Sequence, residues 1–191
     1  MGSAGKDDLQ MHQALLAEII REAAEPHSNR GVAIETKISD GHKGGIDEPY
    51  IIRRPEIIHG LRNMIQNAVD FATSKVWVES SWTKEAINIT ISDDGYGYPP
   101  NLLGRLGDPF LGAKIGKENR RGYEGMGLGL FIAKTLLERT GANISFSNGH
   151  KNQKPSQSQS APSGAIVDIY WPRKKVETTS NLFGENQNFS I

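Results

Sequence analysis

A glycine-rich stretch at residues 125–130, Gly-Met-Gly-Leu-Gly-Leu, is the first candidate for chemistry in this chain. Glycines at alternate positions let the backbone curl and expose its N–H groups. The helical pattern from Phe131 to Arg139 follows, and the positive end of that helix favours a phosphate. The stretch is not a P-loop, because the chain lacks Gly-Lys-Ser and Gly-Lys-Thr, and Leu130 stands where the dinucleotide fingerprint needs its third glycine. A loop that serves only close helix packing is the alternative.

Two asparagines and an aspartate share one face of a predicted helix, Ile57 to Ala72. Asn63 and Asn67 are four residues apart, and Asp70 follows three residues later, so the three side chains lie on the same side. Asparagine is a mediocre helix former because its amide competes for backbone hydrogen bonds. These residues are either ordinary surface positions or the lining of a polar cleft, where an amide oxygen can ligate Mg²⁺ beside phosphate.

A carboxylate followed by glycines ends the alternating strand Ala86 to Ser92. The segment 93–97 reads Asp-Asp-Gly-Tyr-Gly, and the carboxylate of Asp93 can accept a hydrogen bond from an exocyclic amine. Gly95 and Gly97 would let a planar base approach the backbone closely. An ordinary Asp-Gly turn is the alternative.

Hydrophobic periodicity predicts the elements that must position these residues. The predicted helices cover Leu9 to Ala23, Ile57 to Ala72 and Leu128 to Arg139. The predicted strands are Val32–Ile38, Tyr50–Ile52, Val76–Trp82, Ala86–Ser92, Ile144–Ser147 and Ala165–Trp171. Because helices and strands do not alternate strictly, the order favours a two-layer α+β sandwich, with about three helices on one face of a mixed sheet of about five strands.

The totals exclude several classes of function. The chain has 191 residues, enough for one domain, with 22 basic and 22 acidic side chains, so a general nucleic-acid surface or a polybasic membrane surface is not expected. It has no cysteine, which excludes disulfides, a thiolate nucleophile and cysteine metal sites. No membrane-spanning run or signal peptide is visible, and we expect a cytoplasmic location.

The three motifs, taken in order, resemble the ATP-binding catalytic domain of sensor histidine kinases, which share a superfamily with gyrase, Hsp90 and MutL. Asp108-Pro109-Phe110 is similar to the lid motif of that family, and Gly164-Ala165 stands where the family usually has Gly-Thr. Residues 124–139 are similar to the RegB/PrrB type of redox-responding bacterial kinases. The resemblance covers about residues 9–173 and implies a Bergerat-type ATP-binding fold with a long mobile ATP lid at about 98–124.

The resemblance also implies roles for single residues. Asn67 would coordinate Mg²⁺, Asn63 would contact the phosphates or the metal shell, and Asp93 would accept from the adenine amino group. Gly95 and Gly97 would let the loop pass close to the base. Phe110 would pin the lid, while Lys114 or Arg121 could reach a phosphate. The remaining expected ATP contacts are Asp70 and the run Gly125, Met126, Gly127, Leu128, Gly129 and Leu130.

One residue departs from the family pattern. Many members carry a basic residue where this chain has Asp70, and a carboxylate near phosphate is repulsive. We hypothesise that basic residues of the lid take over, or that Asp70 joins the outer shell of the metal.

Asn63 also bears on the reaction, because hydrolases of this superfamily carry a glutamate four residues before the metal asparagine. A neutral amide cannot act as a general base, so transfer to histidine is favoured over hydrolysis. An ATPase and a nucleotide-binding module without transfer remain as alternatives. None of the five histidines of this chain has the family's phosphoacceptor pattern: His12, His27, His42, His59 and His150.

The acceptor is therefore expected on a dimerisation helix hairpin outside this chain, with a response regulator acting further on. We expect this piece to be monomeric and the full-length protein to be anchored in the inner membrane. Residues 1–8 are expected to be an expression scar and linker, 151–163 a flexible loop, and 174–191 a mobile tail.

Overall fold

A computed structural model of the chain describes residues 12–40, 45–108, 126–149 and 162–177. The strands in these ranges are β1 (Gln13–Leu15), β2 (Ala33–Asp40), β3 (Tyr50–Ile52), β4 (Lys75–Trp82), β5 (Ala86–Asp93), β6 (Asn143–Asn148) and β7 (Ala165–Pro172). The helices are α1 (Leu16–Ala24), α2 (Pro55–Phe71), α3 (Met126–Arg139) and the single turn α4 (Arg173–Val176), with short 3-10 turns at Glu25–His27 and Leu103–Arg105.

Five strands form a mixed sheet in the order β2-β4-β5-β7-β6. β2 runs parallel to β4, with Ala33 opposite Lys75, and all other pairs are antiparallel. The sheet brings the end of β5 beside the start of β7, where Ser92 lies opposite Ile166. The predicted fold class, an α+β sandwich with helices on one face of a mixed five-stranded sheet, is confirmed.

Alternation of apolar and polar residues decides which sheet face is covered. Ile87, Ile89 and Ile91 of β5 are buried in the core beneath the helices, while Asn88 and Thr90 between them point the other way. On that opposite face, the Thr90 hydroxyl donates to Asp168 Oδ1 at 2.7 Å. The period of two in this strand therefore sets the side on which the helices pack.

The start of the first predicted helix is wrong. Gln13–Leu15 form a strand that pairs with β3, and α1 begins only at Leu16. The Arg53 N–H donates to the His12 carbonyl at 2.8 Å, which extends this pairing by one residue. A contact with a segment nearly forty residues away therefore overrides the helical spacing of the leucines.

The packed part of the chain extends to Glu177, because Val176 is buried and Glu177 forms a bridge with Ile51. The expected boundaries of the domain stay predictions. The greater parts of the expected lid and of the expected flexible loop, residues 109–125 and 150–161, lie outside the described residues, as do residues 178–191. Within the described ranges, no helix is long and apolar enough to cross a membrane.

α2 and α3 pack closely because α2 carries glycine at the contact. A Cβ at Gly60 would lie 2.5 Å from Leu137 Cγ, and Leu137 is fully buried. This contact fixes α3 against the helix that carries Asn63 and Asn67.

We expect Gly60→Ala to destabilise the protein, although alanine is the better helix former. Overpacking a well-packed core costs about 1–3 kcal/mol, which exceeds the gain of roughly 1 kcal/mol in helix propensity. Chemical denaturation measures the change in the free energy of unfolding. Gly129→Ala is the matched control, because no atom of the described residues lies within 4 Å of its added Cβ, and it should be neutral or stabilising. Equal or greater stability of Gly60→Ala would contradict the packing argument.

Candidate functional site

The site is built around the carboxylate of Asp93, which is 1% exposed at the end of β5. Its Oδ1 accepts hydrogen bonds from the backbone N–H groups of Gly95 at 2.8 Å and Ala165 at 3.2 Å. No described residue donates to Oδ2. Burial raises the pKa of Asp93, and the two backbone hydrogen bonds offset only part of that effect. Two backbone N–H groups thus fix Oδ1, and among the described residues nothing donates to Oδ2.

The neighbouring Asp94 has a structural role instead. Its carboxylate accepts from the backbone N–H groups of Thr73, Ser74 and Lys75 at 2.8–3.1 Å, and from the Ser74 hydroxyl at 2.6 Å. Burial would raise the pKa of Asp94, but these hydrogen bonds outweigh it and lower the pKa. Asp94 therefore ties the turn after α2 to the end of β5.

Two glycines are required where the backbone surrounds Asp93. A Cβ at Gly95 would overlap the Phe71 carbonyl oxygen, and one at Gly164 would overlap Asp93 Oδ1. The Gly164 N–H also donates to the Asp93 carbonyl at 2.9 Å, so the segment before β7 lies directly against the carboxylate. Close approach, rather than unusual dihedral angles, requires glycine at both positions.

A small cleft opens beside the carboxylate. It is lined by Asn67, Phe71, Asp93, Tyr96, Gly97, Tyr98 and Ala165. Phe71 is half-buried at the end of α2, and Tyr96 is 87% exposed. Aromatic rings beside a buried carboxylate suit a flat, hydrogen-bonding ligand.

The polar face of α2 borders this cleft. Asn67 lines the cleft, and Asn63 lies one turn earlier on the same face; both are half-buried, and neither side chain hydrogen-bonds to a described residue. Asp70 is paired with Arg30, with Arg30 Nη2 2.7 Å from Asp70 Oδ1. No group of three or more His, Asp or Glu residues in the described ranges could hold a metal ion. The amide oxygens of Asn63 and Asn67 therefore fit a hard cation that takes its other ligands from phosphate and water.

The side chain of Asn148, at the end of β6, clamps the chain where it leaves the cleft. Its Oδ1 accepts from the Tyr98 N–H at 2.6 Å, and its Nδ2 donates to the Tyr98 carbonyl at 2.8 Å. Gly97 has φ +77°, and a Cβ there would lie 2.6 Å from Asn148 Oδ1. Tyr98 is buried edge-on against Phe146, and burial, together with the charge of Asp93, raises its pKa. The Asn148 amide therefore holds both backbone polar groups of Tyr98.

The glycine-rich run is helical earlier than expected. α3 begins at Met126, so Gly127 and Gly129 lie in its first turn rather than in a preceding loop. The N–H groups of a first turn have no intrahelical partner, so the run still offers donors. Leu130 is buried in the core, where its side chain serves packing, whereas Leu128 is 69% exposed.

The structure brings together only part of the predicted site. Asn67, Asp93, Gly95 and Gly97 meet at the cleft, with Asn63 one helical turn away. Phe110, Lys114, Arg121 and Gly125 lie outside the described residues. Their roles, like those of all the site residues, stay predictions.

Four residues that the sequence did not indicate lie at or beside the cleft. Phe71 and Tyr98 line it, Asn148 binds the Tyr98 backbone, and Arg30 pairs with Asp70. Phe71 could have been found, because it follows Asn67 by four residues on the same helix face. Arg30 and Asn148 gave no local signal, since each contacts its partner across forty residues or more.

Comparisons with known proteins agree with the geometry. Residues 53–175 match the family described as histidine kinase-, DNA gyrase B-, and HSP90-like ATPase. Over 190 residues the chain is 54% identical to the sensor histidine kinase RegB of Cereibacter sphaeroides, covering 97% of this chain and 41% of that protein. The chain thus spans about two fifths of the length of this relative.

Solved structures share the fold. The mycobacterial sensor histidine kinase MprB aligns with a TM-score of 0.61 at 19% identity, over 88% of this chain and 99% of that one. Full-length ShkA in complex with AMPPNP aligns with a TM-score of 0.61 at 20% identity, over 87% of this chain and 32% of that one.

We expect Gly164→Ala to weaken adenosine binding strongly, because its Cβ would displace the Asp93 carboxylate. Losing a positioned hydrogen bond to a charged group corresponds to about tenfold or more in affinity. Isothermal titration with adenosine measures the effect, and thermal unfolding shows whether the fold persists. Gly104→Ala is the control, since no atom of the described residues lies within 4 Å of its Cβ. Unchanged adenosine affinity in a folded Gly164→Ala variant would contradict the role of this contact.

We expect adenosine binding to be lost on acidification before the fold is lost. Asp93 must be ionised to act only as an acceptor. Its pKa is raised above the ordinary value of about 3.9. Adenosine binding should therefore weaken as the pH falls towards this raised pKa. Asp94 has a lowered pKa, so its contribution to stability is present above its unfolded-state pKa and disappears only as the pH falls through its folded-state pKa. Titrations of binding and of circular dichroism against pH separate the two. Coincident transitions would contradict this assignment.

Proposed function

The chain belongs to the family of histidine kinase-, DNA gyrase B- and HSP90-like ATPases, and from this premise we propose that it binds Mg²⁺-ATP and transfers the γ-phosphate to a histidine. The acceptor histidine would lie on the dimerisation and phosphoacceptor domain of the same full-length protein. The observation that carries the proposal is the buried carboxylate of Asp93 at the cleft, whose Oδ1 is bonded to the backbone while no described residue donates to Oδ2.

The proposed recognition of adenine uses Oδ2 of Asp93. Asp93 Oδ2 accepts a hydrogen bond from the exocyclic amine of adenine, whereas guanine would place a carbonyl oxygen there and two acceptors would repel each other. Phe71 and Tyr96 contact the flat faces of the base, and the clamped backbone at Tyr98 closes its edge. The site should therefore prefer ATP to GTP.

The phosphates lie along the polar face of α2, towards the first turn of α3. In this proposal Asn67 holds Mg²⁺ through its amide oxygen, and Asn63 contacts the phosphates or the metal shell. When bound, Mg²⁺ neutralises the charge that develops on the phosphate oxygens. The exposed N–H groups around Gly127 and Gly129 donate to the same oxygens. Lys114 and Arg121 are proposed as further basic contacts.

The acceptor is a histidine rather than water, because Asn63 cannot remove a proton. An imidazole is already nucleophilic when neutral, so positioning and charge stabilisation supply the catalysis. In this proposal a response regulator receives the phosphate from the histidine. The full-length protein is anchored in the inner membrane. This domain would then work on the cytoplasmic side as a monomeric unit.

We expect label from γ-³²P-ATP to appear on a separately expressed helix hairpin of the full-length protein when it is mixed with this chain and Mg²⁺. Asn67→Ala should reduce the transfer rate by about 100-fold or more, because one group that stabilises the reacting phosphate is removed. Gln66→Ala is the matched control, since Gln66 is an exposed neighbour on the same helix.

Each other outcome identifies a different function. Steady release of phosphate without labelling would indicate a hydrolase. Tight ATP binding with neither reaction would indicate a binding module, and no binding at millimolar ATP would overturn the proposal as a whole.

A further inference from the structure

The ion pair between Arg30 and Asp70 lies beside the residues assigned to the phosphates. Asp70 follows Asn67 by three residues on α2, and side chains with that spacing are neighbours about 5–6 Å apart at Cβ. Asn67 itself lines the cleft. The contact of 2.7 Å between Arg30 Nη2 and Asp70 Oδ1 therefore brings a guanidinium to within about one helical turn of the expected metal ligand.

The loop that carries Arg30 is fixed at both sides. Before it, the Ser28 hydroxyl donates to the Glu25 carbonyl at 2.8 Å, and His27 is buried. After it, Gly31 adopts φ +79°, and the Ala33 N–H donates to the Ser74 carbonyl at 2.9 Å, just beyond the end of α2. These contacts hold the loop, and with it Arg30, against the C-terminal half of α2.

Stability alone does not explain the pair. Both side chains are partly exposed, at 43% and 36%, and exposed ion pairs contribute little to folding. An unpaired carboxylate on this face would repel a triphosphate. The surroundings carry further positive charge. Burial lowers the pKa of His27, and the charges of Arg30 and Arg62 act in the same direction. Arg62 Nε is buried without a partner in the described part of the chain.

We propose that Arg30 is a phosphate-binding residue of this site and that Asp70 is the residue that positions it. The guanidinium is planar and has five N–H donors, so an oxygen of Asp70 and an oxygen of the nucleotide phosphates can be bound at the same time. Asp70 is neutralised in the same contact, which accounts for a carboxylate on the phosphate-facing side of α2. This inference rests on the proposed function and adds a residue from outside the three motifs.

The test compares the affinities of Arg30→Gln for Mg²⁺-ATP and for adenosine, measured by isothermal titration with the whole chain. ATP affinity should fall about tenfold, because a charge-assisted hydrogen bond to phosphate is lost, while adenosine affinity should not change. The double variant Arg30→Gln/Asp70→Asn should bind ATP more tightly than Arg30→Gln alone, because the repulsive carboxylate is also gone. A purely structural pair would not produce that recovery.

Arg53→Gln is the matched control. Arg53 Nη2 pairs with Glu22 Oε2 at the same 2.7 Å, with side chains 40% and 33% exposed, but Arg53 directly follows β3 and Glu22 lies on α1, and neither residue lines the cleft. Arg53→Gln should leave ATP affinity unchanged. The inference alone would be overturned if Arg30→Gln bound ATP as tightly as the unmodified chain does. It would also be overturned if Arg30→Gln lost ATP affinity and adenosine affinity equally. Failure of the unmodified chain to bind ATP would overturn the proposed function too.

Discussion

Removal of the Asp93 carboxylate from water is the constraint on which the rest of the site depends. A buried carboxylate is costly unless it is hydrogen-bonded, and here the donors are two backbone N–H groups from separate parts of the chain. Gly95 supplies one from the turn after β5, and Ala165 supplies the other from the start of β7. The antiparallel pairing of β5 with β7 brings these two donors together. The order of the strands therefore determines the hydrogen bonds of the Asp93 carboxylate.

The helix α2 meets two demands with opposite faces. Leu61, Met64 and Ile65 are almost fully buried against the sheet and the other helices, which supplies the packing that holds the helix in place. Asn63 and Asn67 lie on another face of the same helix, and Asn67 lines the cleft. Because the apolar face is rigidly packed, the amide groups keep their positions without hydrogen bonds of their own to described residues. Poor helix formers are tolerated there because tertiary packing outweighs local propensity.

Local pattern predicted most of the fold. The strands with strict alternation, such as β5, and the long helix α2 were placed to within one or two residues, because each shows its own period. β1 was missed because three residues have no period, and only pairing with β3 makes them a strand. The start of α3 was placed two residues late, because its glycines suggested a loop.

The site was predictable where its residues are close in sequence. Asn63 with Asn67, and Asp93 with Gly95, reveal themselves by spacing. Arg30 could not be found in this way, because its partner on α2 is forty residues further on and a single arginine in a turn has no signature. The choice between Asp93 and Asp94 rested on resemblance, and the physical reason appears only in the backbone donors that each carboxylate meets.

The clamp between Asn148 and Tyr98 has a consequence for the exchange of sequence between related proteins. The two bonds from the amide of Asn148 go to the backbone of residue 98, so they do not depend on which side chains follow. At the far side, α3 is anchored through Leu137 against Gly60, again without using the intervening stretch. Insertions, deletions or a transplanted segment between these two anchors would leave both anchoring contacts and the two backbone donors to Asp93 in place. The segment between the anchors can therefore be exchanged as a unit without altering the residues that hold the Asp93 carboxylate.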